Sequence, residues 1–251
     1  MPSHTSQFES QKGVIFESGG EKILAILFVP SEEGKRPTII LCHGFPGIEK
    51  NYDLAEKLRE GGFYVLMLHY RGSWGSGGSY RFLNVPEDIV AGLNFMETVD
   101  GADAKRVALI GYSLGGWASV VVASQDRRIS CVVALAALSD LNLFGPDSVR
   151  LHLSSDFKFV KDLTIERALA EWRTMTDKFN PVEMVKNVAP RKLLILHGDA
   201  DPVVEVEHAY RLYEKAGKPK ALYVVRGGDH RFTGKRRLMI ARIDNWLKKN
   251  L

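Results

Sequence analysis

Short runs of Val, Ile and Leu alternate along the chain with segments whose apolar residues recur every three or four positions. Two runs near the start, residues 14–16 and 23–29, flank Ser18-Gly19-Gly20-Glu21 and predict an antiparallel pair joined by a tight turn. Six more follow, at residues 38–42, 63–69, 106–110, 131–138, 192–197 and 222–226. Their nearly unbroken aliphatic content predicts strands buried on both faces of a mostly parallel sheet.

The intervening segments carry the helical period. Leu54 and Leu58 mark a helix over 51–60 that Gly61-Gly62 ends, and Pro86-Glu87-Asp88 opens another with the stripe Ile89, Leu93, Met96. Residues 117–123 read as a helix, and Val204, His208 and Leu212 line one that Gly217 and Pro219 close. Residues 235–249 are basic and amphipathic, with Leu238, Ile243 and Leu247 expected on the buried side. Eight strands interleaved with helices predict an α/β fold with a doubly wound sheet. The alternation breaks once, at residues 139–190, which hold one clear helix at about 165–177 and are too long for a plain connection. That segment is expected to cap one end of the sheet, within a single domain spanning 1–251.

Composition narrows the class without naming a chemistry. Of 251 residues, 45% are hydrophobic and 25% charged, which excludes disordered, collagen-like and disulfide-stapled proteins. The 34 basic and 30 acidic residues leave a net charge of +4, scattered rather than clustered, so no nucleic-acid or membrane surface is expected. The longest apolar run, residues 132–138, is far short of a bilayer span. Residues 1–7 show no leader pattern. The two cysteines, Cys42 and Cys131, each sit in an apolar run and are expected to be buried free thiols. They neither form a disulfide nor suffice for a metal site, and a cytoplasmic location is expected.

Gly111-Tyr112-Ser113-Leu114-Gly115 matches G-x-S-x-G between a predicted strand and a predicted helix. A sharp strand-to-helix turn would expose Ser113 at a helix N-terminus, where backbone N–H groups favour developing negative charge, and small neighbours would let the chains approach. A serine needs a base. Of seven histidines, His230 follows the last strand in Gly227-Gly228-Asp229-His230, at the same carboxyl edge of the sheet. His43 and His197, each before a glycine, read as structural; His69 ends a strand and reads as buried. His4, His152 and His208 have no comparable setting. The base in turn needs an acid. Asp201, deeper in the loop His197-Gly198-Asp199-Ala200-Asp201-Pro202, is preferred to Asp199, which reads as a turn former, and to Asp140.

The order Ser113, Asp201, His230 is that of α/β-hydrolases, and the resemblance extends over nearly the whole chain. His43-Gly44-Phe45-Pro46-Gly47, Tyr70-Arg71-Gly72-Ser73, the serine motif, His197-Gly198-Asp199-Ala200-Asp201 and Asp229-His230 occur in the family's order. The chain resembles dienelactone hydrolases, cinnamoyl or feruloyl esterases and the catalytic domains of the prolyl oligopeptidase family. The resemblance implies an oxyanion hole made by the backbone N–H groups of Phe45 and Leu114. A single glycine before Phe45, rather than a Gly-Gly-Gly run, departs from the hormone-sensitive-lipase branch and disfavours bulky tertiary-alcohol esters.

The Gly/Ser stretch 71–78 lacks the lysine of a phosphate-binding loop and reads as a flexible loop placing Trp74 near the site mouth. Aromatics of the cap, Phe144, Phe157, Phe159, Trp172 and Phe179, can wall a dry pocket or form the cap's own core. Trp74, Phe144 and Trp172 are the candidate substrate contacts. The expectation is a serine carboxylesterase acting on a small-molecule ester with a small, medium or aromatic acyl group, using no metal or cofactor. A peptidase or amidase of the prolyl oligopeptidase type and a silent binding protein are the alternatives. No sequence feature sets the number of copies, a homodimer included.

Overall fold

The computed structural model describes residues 10–251. Residues 1–7, in which no leader pattern was expected, and His4 among them, lie outside the described residues. Eight strands form one sheet: β1 (Gln11–Ser18), β2 (Glu21–Phe28), β3 (Arg36–Cys42), β4 (Tyr64–Leu68), β5 (Ala102–Tyr112), β6 (Ile129–Leu135), β7 (Lys192–Gly198) and β8 (Lys220–Val225). Their spatial order is β1-β2-β4-β3-β5-β6-β7-β8, with β2 antiparallel to β1 and β4 and every other pair parallel.

The unbroken apolar runs are explained by burial on both faces. Along β5, Val107 and Leu109 enter one core while Ala108, Ile110 and Tyr112 enter the other. The first core lies against α2 (Val85–Glu97), α3 (Leu114–Gln125) and α7 (Glu207–Lys215); the second lies against α1 (Tyr52–Glu60) and α8 (Arg236–Asn250). Cys42 and Cys131 are buried free thiols, one in each core, and burial pushes each thiol up to about 12.

The structure corrects several helix expectations. In α8 the buried row is Met239, Ile243 and Leu247, spaced one turn apart, whereas Leu238 is a step round the helix and exposed. Val204 precedes α7 instead of lining it, because its backbone is engaged by Asp201 and His197. The cap is shorter than 139–190. It contains α4 (Pro146–Leu153) and α5 (Ile165–Lys178), but α6 (Pro181–Met184) and the turn Val185–Val188 return to the sheet layer. There Val182, Val185 and Val188 are buried in the core that α3 shares. Among the described residues no helix is long and apolar enough to cross a membrane.

Candidate active site

Ser113 sits between β5 and α3 with φ 55° and ψ −119°, a left-handed conformation that strains any residue with a Cβ. The turn is possible because its flanks are bare. A Cβ on Gly115 would lie 2.1 Å from the Cys42 carbonyl oxygen, and one on Gly111 would lie 2.2 Å from that of Gly115. The strained backbone is tied down: the Ser113 N–H donates to the Leu135 carbonyl at 3.0 Å, and the Ser113 carbonyl accepts from Gly116 and Leu138. Helix α3 begins directly after the serine, three residues earlier than the apolar pattern indicates.

The three side chains singled out from the sequence meet at the carboxyl edge of the sheet. His230 Nε2 is 3.1 Å from Ser113 Oγ, and His230 Nδ1 is 2.7 Å from Asp201 Oδ2. Asp201 Oδ1 accepts the backbone N–H groups of Val203 and Val204, both at 2.9 Å. His197 Nε2 donates to the Val204 carbonyl at 2.8 Å and lies 3.4 Å from Asp201 Oδ2. Burial by itself would raise the Asp201 carboxyl. Hydrogen bonds from His197, His230 and the Val204 N–H outweigh it and hold the group well below the usual carboxylate range. An ionised Asp201 fixes the His230 tautomer with its proton on Nδ1, leaving Nε2 free to accept from the serine.

The competing carboxylates are used elsewhere. Asp199 Oδ1 accepts the Gly227 N–H at 2.6 Å, tying the acid loop to the histidine loop. Asp140 is paired with Arg211 at 2.9 Å, and Asp229 accepts the Arg231 and Thr233 N–H groups inside its own turn. The histidines read as structural are so placed. His43 is fully buried, donates from Nδ1 to the Gly44 carbonyl at 2.7 Å, and is pushed down by burial to about 3. His69 is buried and lowered to about 4, with the Lys50 ammonium donating to its Nε2 at 3.3 Å. His208, which had no evident setting in the sequence, is also buried and lowered to about 4. Its Nδ1 accepts the Ser139 and Asp140 N–H groups at 3.2 and 3.1 Å where the chain leaves the sheet for the cap.

Gly44 brings the other candidate donor alongside the serine. A Cβ there would meet Ser113 Cβ at 2.9 Å, so the backbone leading into Phe45 packs directly on the serine. Phe45 and Leu114 both line a cavity of about 170 Å³ that opens onto Ser113 and His230. Its apolar wall includes Leu138, Phe144, Leu153 and Val203, and its mouth carries Ile48, Glu49 and Arg231.

Two of the three candidate substrate contacts lie outside the cavity. Phe144 does line the cavity. Trp172 does not: it is buried inside the cap, with its ring 5.4 Å from Phe144 and 6.0 Å from Phe82. Trp74 is 37% exposed and outside the cavity, its Nε1–H donating to the Pro46 carbonyl at 2.6 Å. The loop that carries Trp74 is also closed rather than flexible. Gly72 N–H donates to Gly77, Ser73 to Tyr70 and Ser76 to Ser73, and the Arg71 guanidinium is held by Asp88 and Glu87. Sequence reading missed His152 and Asp156, which the cap brings to the cavity wall, His152 with its ring centre 5.7 Å from that of Phe144. No local signal marks them, because only the docking of the cap sets which side of α4 and of the turn Ser154–Phe159 after it faces the serine. Among the described residues there is no cluster of three or more metal-ligating side chains.

This sheet with its serine turn defines an α/β-hydrolase fold. Residues 52–251 match the Prolyl oligopeptidase family, and the chain belongs to it. It is 25% identical over 248 residues to an uncharacterized peptidase, YtmA, of Bacillus subtilis, covering 94% of this chain and 92% of that protein. It is 39% identical over 125 residues to an uncharacterized 31.7 kDa protein of Escherichia coli, a stretch covering 47% of this chain and 43% of that relative's length. Among solved structures, the esterase domain of a Rhodothermus marinus protein superposes with a TM-score of 0.70 at 26% identity, covering 95% and 98% of the two chains. Est1E of Butyrivibrio proteoclasticus, with ferulic acid bound, superposes with a TM-score of 0.78 at 20% identity, covering 94% and 98%.

Proposed function

We propose that the protein is a carboxylesterase that cleaves esters of small, medium or aromatic acids through an acyl-enzyme on Ser113. The observation that carries this reading is the position of His230, within hydrogen-bond reach of both Ser113 Oγ and Asp201 Oδ2. In the first step Ser113 Oγ attacks the ester carbonyl carbon as His230 Nε2 takes the hydroxyl proton. The carbonyl oxygen becomes an alkoxide, which the N–H groups of Phe45 and Leu114 stabilise; losing one such donor typically costs about 3–4 kcal/mol of barrier. Collapse breaks the bond to the leaving oxygen, which His230 protonates as it departs as the alcohol. Water, deprotonated by the same imidazole, then releases the acid and restores Ser113.

A cavity of about 170 Å³ with a largely apolar wall suits an acyl group no larger than a substituted aromatic ring or a short chain. The ferulic acid bound to Est1E is consistent with that size. Membership of the Prolyl oligopeptidase family and the likeness to YtmA support a second reading, in which the same relay cleaves a peptide or amide.

A panel of p-nitrophenyl esters of graded acyl size, set beside matched anilides, separates the two readings. Ester turnover at least 100-fold above anilide turnover is expected, with labelling of Ser113 by a fluorophosphonate. Ser113→Ala is expected to abolish both while the protein stays folded. Full turnover in that variant would end the serine-hydrolase mechanism, and preferential anilide cleavage would favour the peptidase.

A further inference from the structure

Trp74 stands outside the cavity yet is fastened to its oxyanion side. Its Nε1–H donates to the Pro46 carbonyl at 2.6 Å, and a Cβ on Gly47 would meet the same nitrogen at 2.5 Å, so the indole lies directly on this backbone. The Lys50 ammonium is 4.3 Å from the ring centre, and Phe159 of the cap stacks on the indole at 6.4 Å with 12° between the planes. Trp74 is 37% exposed and has φ 50°, a conformation that strains a residue with a Cβ. Of the indole's contacts, the hydrogen bond is the one made to the main chain on the oxyanion side.

The segment it grips is the one that carries the Phe45 N–H. His43 Nδ1–H holds the Gly44 carbonyl, which belongs to the same planar peptide as the Phe45 N–H, at 2.7 Å, and the Tyr70 hydroxyl holds the His43 carbonyl at 3.0 Å. Two peptides further along, Trp74 holds the Pro46 carbonyl. With the chain held in that peptide by His43 and again beyond Pro46 by Trp74, the Phe45 N–H has little freedom to turn. The loop bearing Trp74 is itself anchored, because Asp88 accepts from the Arg71 backbone N–H at 2.9 Å and pairs with its Nε at 2.6 Å.

We propose that Trp74 is a positioning residue whose indole N–H clamps the Pro46 carbonyl and so keeps the Phe45 N–H aimed at the oxygen that becomes anionic. The proposal rests on reading Phe45 as an oxyanion donor. A donor held this way acts on the tetrahedral state more than on the bound ester, so its loosening lowers kcat and leaves KM nearly unchanged.

Trp74→Phe keeps an aromatic ring and removes the donor. It is expected to lower kcat about tenfold, the usual worth of one hydrogen bond, with KM within about twofold. Inhibition by a trifluoromethyl ketone, which forms a tetrahedral adduct with the serine, is expected to weaken by the same factor. Replacing Trp74 with benzothienylalanine, which keeps the bicyclic shape and lacks the N–H, decides the matter if Trp74→Phe does not fold, and the same losses are expected. Phe159→Leu retains the donor and removes the stacked ring, with kcat expected within about twofold of the parent. Wild-type kcat and inhibitor affinity in the benzothienylalanine protein, or an equal kcat loss in Phe159→Leu, would overturn the clamp. Absence of ester and amide turnover by the parent protein, or full turnover by Ser113→Ala, would instead overturn the hydrolase mechanism and the clamp with it.

Discussion

The Tyr112 hydroxyl donates to the backbone carbonyl of His230 at 3.1 Å, and the two rings tilt together with centres 5.1 Å apart. The residue just before the serine thus braces the loop that supplies the base, across a separation of 118 positions in the chain. The serine and the imidazole are held by a shared support rather than by their own hydrogen bond alone. Tyr112→Phe keeps the ring and deletes the brace. We expect a loss of about 1 kcal/mol in stability and a fall in kcat of about three- to tenfold. Parallel urea melts and ester kinetics check both, and a wild-type kcat would show that the loop needs no such support.

Asp201 and Asp199 are two positions apart and face different partners. Asp201 holds His230, whereas Asp199 accepts one N–H from Gly227. Asp201→Asn can present an amide N–H to Nδ1 and so favour the wrong imidazole tautomer, and kcat should fall by about four orders of magnitude, as in other serine triads. Asp199→Asn retains an oxygen for Gly227 and should keep most of the activity. Steady-state kinetics of the two proteins, with circular dichroism to verify folding, compare them directly.

Three histidines are buried in the neutral form: His43, lowered to about 3, and His69 and His208, each lowered to about 4. In the unfolded chain an imidazole binds its proton at about pH 6.5. Below that pH the unfolded state takes up protons that the folded state refuses, so stability falls as the pH drops from about 6.5 toward 4 and is level above about 7. The depressed carboxyl of Asp201 adds stability that is full above about pH 4 and is lost as the pH falls further, toward its folded value. Urea midpoints between pH 8 and 4.5 should therefore decline before carboxylates titrate. A midpoint constant to pH 5 would contradict neutral burial of these rings.

Phe144 and Trp172 touch each other but do different things. Phe144 walls the cavity, whereas Trp172 fills the cap behind it, against Phe144 and Phe82. Phe144→Ala should shift the preferred acyl group toward larger sizes. Trp172→Ala opens a hole in a packed interior and should cost about 3–5 kcal/mol, with the acyl preference moving less. Specificity profiles over graded esters, set beside melting temperatures, separate the roles; a larger profile shift in Trp172→Ala would reverse them.

Much of the architecture was legible because it rests on local periodicity. Runs such as residues 38–42 and 192–197 could satisfy their backbone only as strands with both faces covered, and β3 and β7 lie there. Less was legible where one residue's direction matters. Leu238 and Met239 are adjacent and both apolar, and the packing of α8 on the sheet decides which is buried. His208 gave no signal because its ligands, the Ser139 and Asp140 N–H groups, come from a segment about 70 residues away.

The sequence by itself determined the strand-to-helix turn at Ser113 and the loops from which a base and an acid could come. Turn chemistry is local: glycines at 111 and 115 are needed wherever a side chain is forced between a strand and a helix at such close range. Tertiary structure alone decided that His230 reaches Ser113 and Asp201 together, that Trp172 faces the cap interior, and that Trp74 donates to a backbone carbonyl outside the cavity. Those outcomes depend on distances between segments far apart in the chain. Such distances are set by how the sheet and cap pack, and no window of neighbouring residues contains them.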